Sequence, residues 1–223
     1  MAKALIVSGG WDGHKPFEVA EVLTGSLEGQ GVQVENSRDL DDLKRSAEFD
    51  LVVPNWTMGS IDPGQVQPLV EAVAGGIGLA GIHGGMGDAF RSSTEYQFVV
   101  GGQFVAHPGP GDRRYSVRFR PGHALTQGLE DFEVATEKYY LHVDPAMRVL
   151  ATTEFEDFDG TVMPVAWTKA WGEGRVFYCS LGHDPEIVSH PLTLEFVTRG
   201  MLWAADRAST LQGDRFGEVY GRA

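Results

Sequence analysis

The sequence predicts an α/β protein with a doubly wound, mostly parallel sheet. Four short apolar runs have the length and composition of buried strands, namely 4–7, 32–34, 51–53 and 77–82. Helical patterns begin at Pro16 and Pro63 and end at Gly29 and Gly75, so that helices alternate with these strands. Such alternation favours parallel pairing, because each crossover helix returns the chain to the same end of the sheet.

The second half of the chain has a less regular pattern. It predicts a helix at 93–100, strands at 115–119, 149–152, 162–167 and 175–180, and a final helix at 191–205. The segment 171–174 predicts a hairpin turn between the last two strands. We find no repeat, low-complexity segment or linker. The sequence therefore predicts one domain over 1–205, followed by a polar tail at 206–223.

The composition restricts the partners and the compartment. The 223 residues carry a formal net charge of −13, which argues against a nucleic acid or an anionic membrane as partner. The single cysteine, Cys179, excludes an internal disulfide and suits a reducing compartment. No leader-like segment precedes Ala4, and no apolar run reaches about 18 residues. We expect a soluble cytoplasmic protein, and the sequence leaves open whether it forms a homo-oligomer.

The strand at 77–82 ends in a histidine between glycines. Gly81-Ile82-His83-Gly84-Gly85 has the frame of the G-x-S-x-G nucleophile elbow, with His83 in the nucleophile's place. Glycines permit the close approach and positive φ of such a turn, which holds one side chain at the ligand-binding end of the sheet. We expect an exposed imidazole there, so that His83→Ala should cost at most about 1 kcal/mol of stability. The alternative is a histidine that only packs in the turn.

Two further predicted strands end in loops that contain glycine and histidine, 8–14 and 180–184. They contribute His14 and His183. The carboxyl ends of parallel strands border one crevice, so we expect His14, His83 and His183 to lie together. A single loop histidine is more often a surface residue, and the hypothesis depends on the coincidence of the three.

The segment 136–142 adds a carboxylate, two phenols and a histidine. Glu137 is a candidate general base or ligand, and its alternative is a solvated acid beside Lys138. Tyr139 and Tyr140 should point in opposite directions if the segment is extended, which would leave one of them facing the crevice. We choose Tyr140, together with His142, as substrate-binding candidates.

Aromatic residues on predicted strand ends complete the candidate site. Trp11 and Trp56 could stack on the apolar face of a sugar, although core packing is the ordinary role of tryptophan. We interpret His107, which precedes a Pro-Gly turn, as a turn residue, and His123 as structural. Cys179 is predicted to be a buried strand residue without an adjacent base.

Five groups of segments occur in an informative order: 4–10 with His14, 81–85, 101–104 with 107–108, 123–129 with 137–140, and 164–167 through 174–178 to 181–183. In this order the chain resembles the ThuA-like (trehalose utilisation) family, within the class I glutamine amidotransferase-like superfamily. The resemblance covers nearly the whole chain. It implies a flavodoxin-like fold and a role in sugar metabolism, with trehalose or a related glycoside, oxidised forms included, as substrate class.

Two departures from the superfamily pattern argue against glutaminase chemistry. Glutamine amidotransferases have a cysteine at the elbow, where this chain has His83, and a His-x-Glu after a late strand. Here Glu186 lies three residues after His183 instead of two. Glutamine hydrolysis needs a thiolate at that turn, so we expect none. Within the ThuA-like pattern, Ala124 follows His123 where proline is more usual, which weakens any role for His123.

Three functional hypotheses follow. The first is an enzyme that acts on trehalose or a related keto-glycoside, with His83, His183 and Glu137 as acid and base residues. The second is a metal-dependent hydrolase in which His14, His83 and His183 bind a divalent ion such as zinc. The third is a non-catalytic sugar-binding or regulatory protein. Metal content distinguishes the second hypothesis, and turnover of glycosides separates the first from the third.

Overall fold

The computed structural model describes residues 1–206, and the predicted tail lies, after Asp206, outside the described residues. The strands are β1 Lys3–Gly10, β2 Gln33–Ser37, β3 Leu51–Thr57, β4 Gly78–Ile82, β5 Gly102–Ala106, β6 Arg114–Phe119, β7 Phe132–Ala135, β8 Tyr140–Val143, β9 Arg148–Phe155, β10 Thr161–Trp171 and β11 Gly174–Cys179. The α-helices are α1 Pro16–Glu28, α2 Pro63–Ala74, α3 His83–Gly87, α4 Thr94–Val100, α5 Pro185–Ser189 and α6 Pro191–Ala205. None of these helices has the length and apolar character needed to cross a membrane.

Nine strands form one sheet in the order β2-β1-β3-β4-β11-β10-β9-β6-β7. The strands from β2 to β11 in this order are parallel, which matches the strand order of flavodoxin-like folds and confirms the predicted α/β fold class. From β11 onward each neighbouring pair is antiparallel. The short turn between β10 and β11 explains the change, because parallel neighbours would need a long crossover. The strands β5 and β8 pair separately.

Helices cover both faces of the parallel strands, as a doubly wound fold requires. Leu23 of α1 and Phe196 of α6 share one hydrophobic cluster with Ile6 of β1. Leu69 of α2 belongs to a second cluster with Leu5. Because successive strand residues point to opposite faces, Leu5 and Ile6 divide β1 between two buried layers. This is why β1 is apolar without alternation.

Local sequence signals explain where the helices begin. Pro16, Pro63 and Pro191 occupy the first positions of α1, α2 and α6, where a missing N–H group costs nothing. At the start of α2 the side chain of Gln65 accepts a hydrogen bond from the Asp62 backbone N–H at 3.0 Å. These boundaries agree with the predicted ones, because capping depends on nearby residues only.

The turn between β4 and α3 is strained at His83 instead of at its glycines. His83 has φ +44°, whereas neither Gly84 nor Gly85 lies in the left-handed region. The glycines are required for close packing. A Cβ atom on Gly84 would lie 2.5 Å from His14 Cε1, and one on Gly85 would lie 2.7 Å from Asn55 Oδ1. The elbow is therefore pressed against β3 and against the loop that follows β1.

Gly85→Ala should lower the free energy of unfolding by about 1–3 kcal/mol, because the new methyl group overlaps Asn55 in a packed turn. Gly25→Ala in α1 is the control, since a Cβ atom there has nothing within 4 Å. It should raise stability by about 0.5–1 kcal/mol. Urea unfolding of both variants measures the difference. A Gly85→Ala protein as stable as the wild type would contradict the close approach.

Candidate active site

Four side chains converge at the carboxyl ends of parallel strands. His14 ends a helical turn after β1, His83 follows β4 directly, and His183 lies between β11 and α5. Glu137 comes from the connection between β7 and β8. One nitrogen of each histidine and one oxygen of Glu137 lie within 4.8 Å of one another, so a single ion or ligand atom can contact all four. The cluster lies at the carboxyl ends of the parallel strands, beside the point between β1 and β3 at which the strand order reverses.

Glu137 is at the centre of this cluster. Its Oε2 lies 3.2 Å from His83 Nε2, 3.4 Å from His183 Nδ1 and 3.9 Å from His14 Nε2. The residue is only 7% exposed, which excludes the alternative of a solvated surface acid. The Tyr115 hydroxyl donates a hydrogen bond to its backbone carbonyl at 3.1 Å and holds the connection in place.

The charges of the cluster are coupled. Burial alone would raise the pKa of Glu137, but the imidazoles of His14 and His183 outweigh it and hold that pKa well below its usual range. The same carboxylate raises the pKa of His183. Yet His183 Nδ1 has no hydrogen-bond partner among residues 1–206, because its contact with Glu137 is poorly aligned.

Hydrogen bonds fix the orientation of His83. Its Nδ1 lies 2.8 Å from the Ser180 carbonyl oxygen, which can only accept, so Nδ1 carries the proton. In the neutral ring, Nε2 then carries a lone pair, and this lone pair faces Glu137 Oε2. Tyr139 stacks on the ring at 4.1 Å, and the Tyr178 hydroxyl donates to the His83 carbonyl at 3.1 Å. The lone pair and the carboxylate repel each other unless a proton or a cation lies between them.

His83 is buried, and the expectation of an exposed imidazole is wrong. The residue is 1% exposed because Tyr139 and the end of β11 cover it. Burial lowers the pKa of His83 to about 4, against the opposing effect of Glu137. His83→Ala would leave a cavity and an unpaired Ser180 carbonyl, so it should cost about 2 kcal/mol or more instead of leaving stability unchanged.

His14 connects the cluster to an exposed indole. Its Nδ1 pairs with Thr57 Oγ1 at 2.8 Å, which turns Nε2 toward Glu137. The ring of Trp11 meets His14 edge-on at 4.8 Å and is 47% exposed. Trp11 therefore borders the crevice, as expected from its position after β1.

The structure places three other predicted substrate-binding residues in different surroundings. Tyr140 packs with Phe155 at 5.5 Å. The ring of Trp56 packs over β1, and His142 is exposed on β8. The two tyrosines do point apart, but Tyr139 is the one that contacts the cluster. The alternation was predictable, whereas the choice between the two rings depends on what β8 packs against.

A fourth histidine, interpreted from the sequence as a turn residue, also faces Glu137. His107 Nε2 lies 3.5 Å from Glu137 Oε1, and its side chain is 43% exposed. It follows β5, whose Phe104 packs on Tyr139 at 4.5 Å. Pro108 predicts a turn but not what the turn approaches. The signal that could have found His107 is its place in the segments that resemble the ThuA-like family.

These features define a flavodoxin-like α/β protein whose crevice carries histidines and a glutamate where glutaminases carry a cysteine. The chain belongs to the ThuA family, described as trehalose utilisation, whose model matches residues 3–204. The resemblance to the ThuA-like family found in the sequence is thereby confirmed. Among curated proteins, none matches the chain.

Solved structures share the fold. A ThuA-like protein from Parabacteroides merdae has a TM-score of 0.75 at 20% identity, with 96% of this chain and 94% of that chain covered. A ThuA-like protein from Bacteroides uniformis has a TM-score of 0.76 at 16% identity, with 91% of each chain covered. A β-galactosidase from Rahnella sp. R3 has a TM-score of 0.61 at 20% identity, but the match covers only 30% of that chain and 89% of this one.

The neutral, buried His83 predicts a loss of stability in acid. Its folded pKa of about 4 lies below the ordinary 6.5, so the unfolded chain binds more protons between these values, and stability falls as pH drops from 6.5 to 4. The total loss of unfolding free energy from this residue is of the order of 3 kcal/mol. His183, with its raised pKa, has the opposite sign and loses its contribution as pH rises above 6.5.

Urea unfolding between pH 7 and 4, in buffer that contains a chelator, should therefore show a flatter profile for His83→Asn than for the wild type. The asparagine amide can still donate to the Ser180 carbonyl but does not titrate. Parallel profiles of the two proteins over this range would contradict a buried neutral imidazole.

Proposed function

We propose that the protein is an enzyme of sugar metabolism that acts on trehalose or a related glycoside, oxidised forms included. The observation that carries the proposal is the convergence of three imidazoles, from three separate strand ends, on one buried carboxylate. Clusters of titratable groups with displaced pKa values in a crevice are typical of functional sites. The family's description as trehalose utilisation supports a sugar as the substrate class.

The side chains of the cluster differ in solvent exposure, and this difference suggests different roles. The side chains of His183 and His107 are 26% and 43% exposed, whereas His83 is buried. A substrate would therefore meet His183 and His107, and His83 would act through Glu137. Isomerisation, elimination and hydrolysis of a sugar all require a proton to move at a carbon or an oxygen, and imidazole titrates in the useful range.

The surroundings favour a small, uncharged substrate. The exposed ring of Trp11 offers a surface on which the apolar face of a sugar can stack. The net charge of −13 disfavours nucleic acid and anionic membranes as partners, and the single cysteine suits a cytoplasmic location.

Turnover of trehalose and of its keto derivatives, followed by chromatography, tests the proposal. The wild type should convert at least one of them, and Trp11→Ala should lower kcat/KM about 10-fold through the loss of about 1.4 kcal/mol of contact. Phe98→Ala on α4 is the control, since Phe98 is 48% exposed and lies outside the cluster. The melting temperature of Trp11→Ala should stay close to that of the wild type.

The rival hypothesis of a non-catalytic sugar-binding protein predicts a different result. Sugars would raise the melting temperature through binding but would be recovered unchanged. If the protein converts none of these glycosides and none of them raises its melting temperature, a role in sugar metabolism is contradicted.

The protein should release no ammonia from glutamine. Cys179, the single cysteine of the chain, is buried on β11, and burial raises the pKa of its thiol to about 12. The elbow therefore has no thiolate nucleophile. The Cys179 thiol on β11 is buried and stays protonated. A coupled ammonia assay measures this, and release that Cys179→Ser abolishes would show glutaminase chemistry after all.

A further inference from the structure

We infer that the cluster binds a divalent transition-metal ion, with one nitrogen each of His14, His83 and His183 and one oxygen of Glu137 as its ligands. The inference deepens the proposed function and rests on it only for the use of the ion, because binding can be measured without a substrate. It changes the role of Glu137 from a free base to a ligand.

The orientation of His83 is the first argument. Its Nδ1 proton is committed to the Ser180 carbonyl, so the Nε2 lone pair points at a carboxylate oxygen 3.2 Å away. Both atoms are acceptors, and they face each other in a site that is almost closed to water. A cation between them replaces this repulsion with two bonds. A proton in its place would put a full charge on a completely buried ring.

The other two imidazoles also direct a nitrogen at Glu137. His14 Nδ1 is occupied by Thr57 Oγ1, and its Nε2 faces Glu137. His183 Nδ1 is buried and has no hydrogen-bond partner within the described part of the chain. Three ring nitrogens are thus directed at one carboxylate without a set of hydrogen bonds that satisfies them all.

The spacing fits one ion. Zinc bonds of about 2.0–2.1 Å place the ligands of a tetrahedral site about 3.3 Å apart. The nitrogens of His83 and His183 lie 3.2 and 3.4 Å from Glu137 Oε2. His14 Nε2 is further away, at 3.9 Å, and all four ligand atoms lie within 4.8 Å of one another, so the side chains would draw closer together around a bound ion.

The groups behind the ligands are those that metal sites use. A ligating histidine usually donates its other N–H to a carbonyl, a carboxylate or water, which fixes the ring before the ion binds. Ser180 does this for His83, and Thr57 can do it for His14. The two buried rings are thus held with their free nitrogens turned inward.

The donor set also identifies the class of ion. Imidazole nitrogens favour zinc, iron, cobalt and nickel, whereas Mg²⁺ and Ca²⁺ prefer oxygen ligands. The partly exposed side at His183 leaves an approach for water or a sugar oxygen as a fifth ligand, which a five-coordinate ion would polarise as a Lewis acid.

The full-length protein, stripped with a chelator, is titrated with Zn²⁺, Co²⁺ and Mg²⁺. We expect one zinc or cobalt per chain by elemental analysis after dialysis, a visible d–d band with Co²⁺ and a higher melting temperature with Zn²⁺. Mg²⁺ should give none of these effects. A protein that retains neither zinc nor cobalt, with no band and no thermal shift, overturns the inference.

Substitutions then test which residues bind the ion. Glu137→Gln keeps the shape of the side chain and should weaken Co²⁺ binding at least about 100-fold. Glu133→Gln, an exposed carboxylate on β7, should bind Co²⁺ as the wild type does. His183→Ala, at a partly exposed position, replaces Glu137→Gln if that variant does not fold. Unchanged Co²⁺ binding in the folded ligand variant would place the ion elsewhere and overturn the assignment.

The two proposals fail separately. Conversion of a glycoside by a protein that binds no metal would overturn the inference and keep the proposed function. One ion per chain at this cluster, without any response to sugars, would support the inference and contradict the proposed function.

Discussion

The structure of the site depends on a charged carboxylate held among imidazoles and away from water. An isolated buried carboxylate would take up a proton, because burial disfavours the charged form. Here the imidazoles of His14 and His183 keep the pKa of Glu137 low. His83 and His183 reach Glu137 because β4 and β11 pair in a register that places Cys179 opposite Ile82, the residue directly before His83. A slip of one residue in that pairing would turn the strand side chains to the opposite face and separate the cluster. The geometry of the site therefore depends on the strand register of the parallel sheet.

The turn between β4 and α3 places His83 in the cluster, and it does so at a cost in backbone strain. A left-handed φ at a residue with a side chain costs of the order of 1–3 kcal/mol, and it persists only where the surroundings determine it. At His83 the Ser180 carbonyl holds the ring and the Tyr178 hydroxyl holds the backbone. Gly87 allows this, because a Cβ atom there would lie 2.2 Å from the hydroxyl oxygen of Tyr178. The glycines, expected from the sequence to permit close approach and a positive φ, thus provide the close approach, while the positive φ lies at His83.

The sequence predicted the features that depend on nearby residues. Apolar runs, helix starts such as Pro16 and the rule that parallel strands end at one crevice were sufficient for the α/β fold and for the meeting of His14, His83 and His183. It did not predict how deep His83 lies, because burial depends on Tyr139, which comes from far along the chain. His107 was missed for the same reason. The pairing of β5 with β8 brings its loop to Glu137, and no local pattern records that pairing.

The depth of the elbow residue distinguishes this site from that of a glutaminase with a related turn. A nucleophile must touch its substrate, so a thiolate at the elbow has to be accessible. His83 and His14, at 1% and 7% exposure, cannot meet a substrate directly. A metal ligand has no such requirement, and burial improves it by excluding water and fixing the ring. Under the proposed function, a substrate would contact the exposed rings of Trp11 and His107 and the open side of His183. The same strand-to-helix turn thus supports a different chemistry when the residue at its tip points inward.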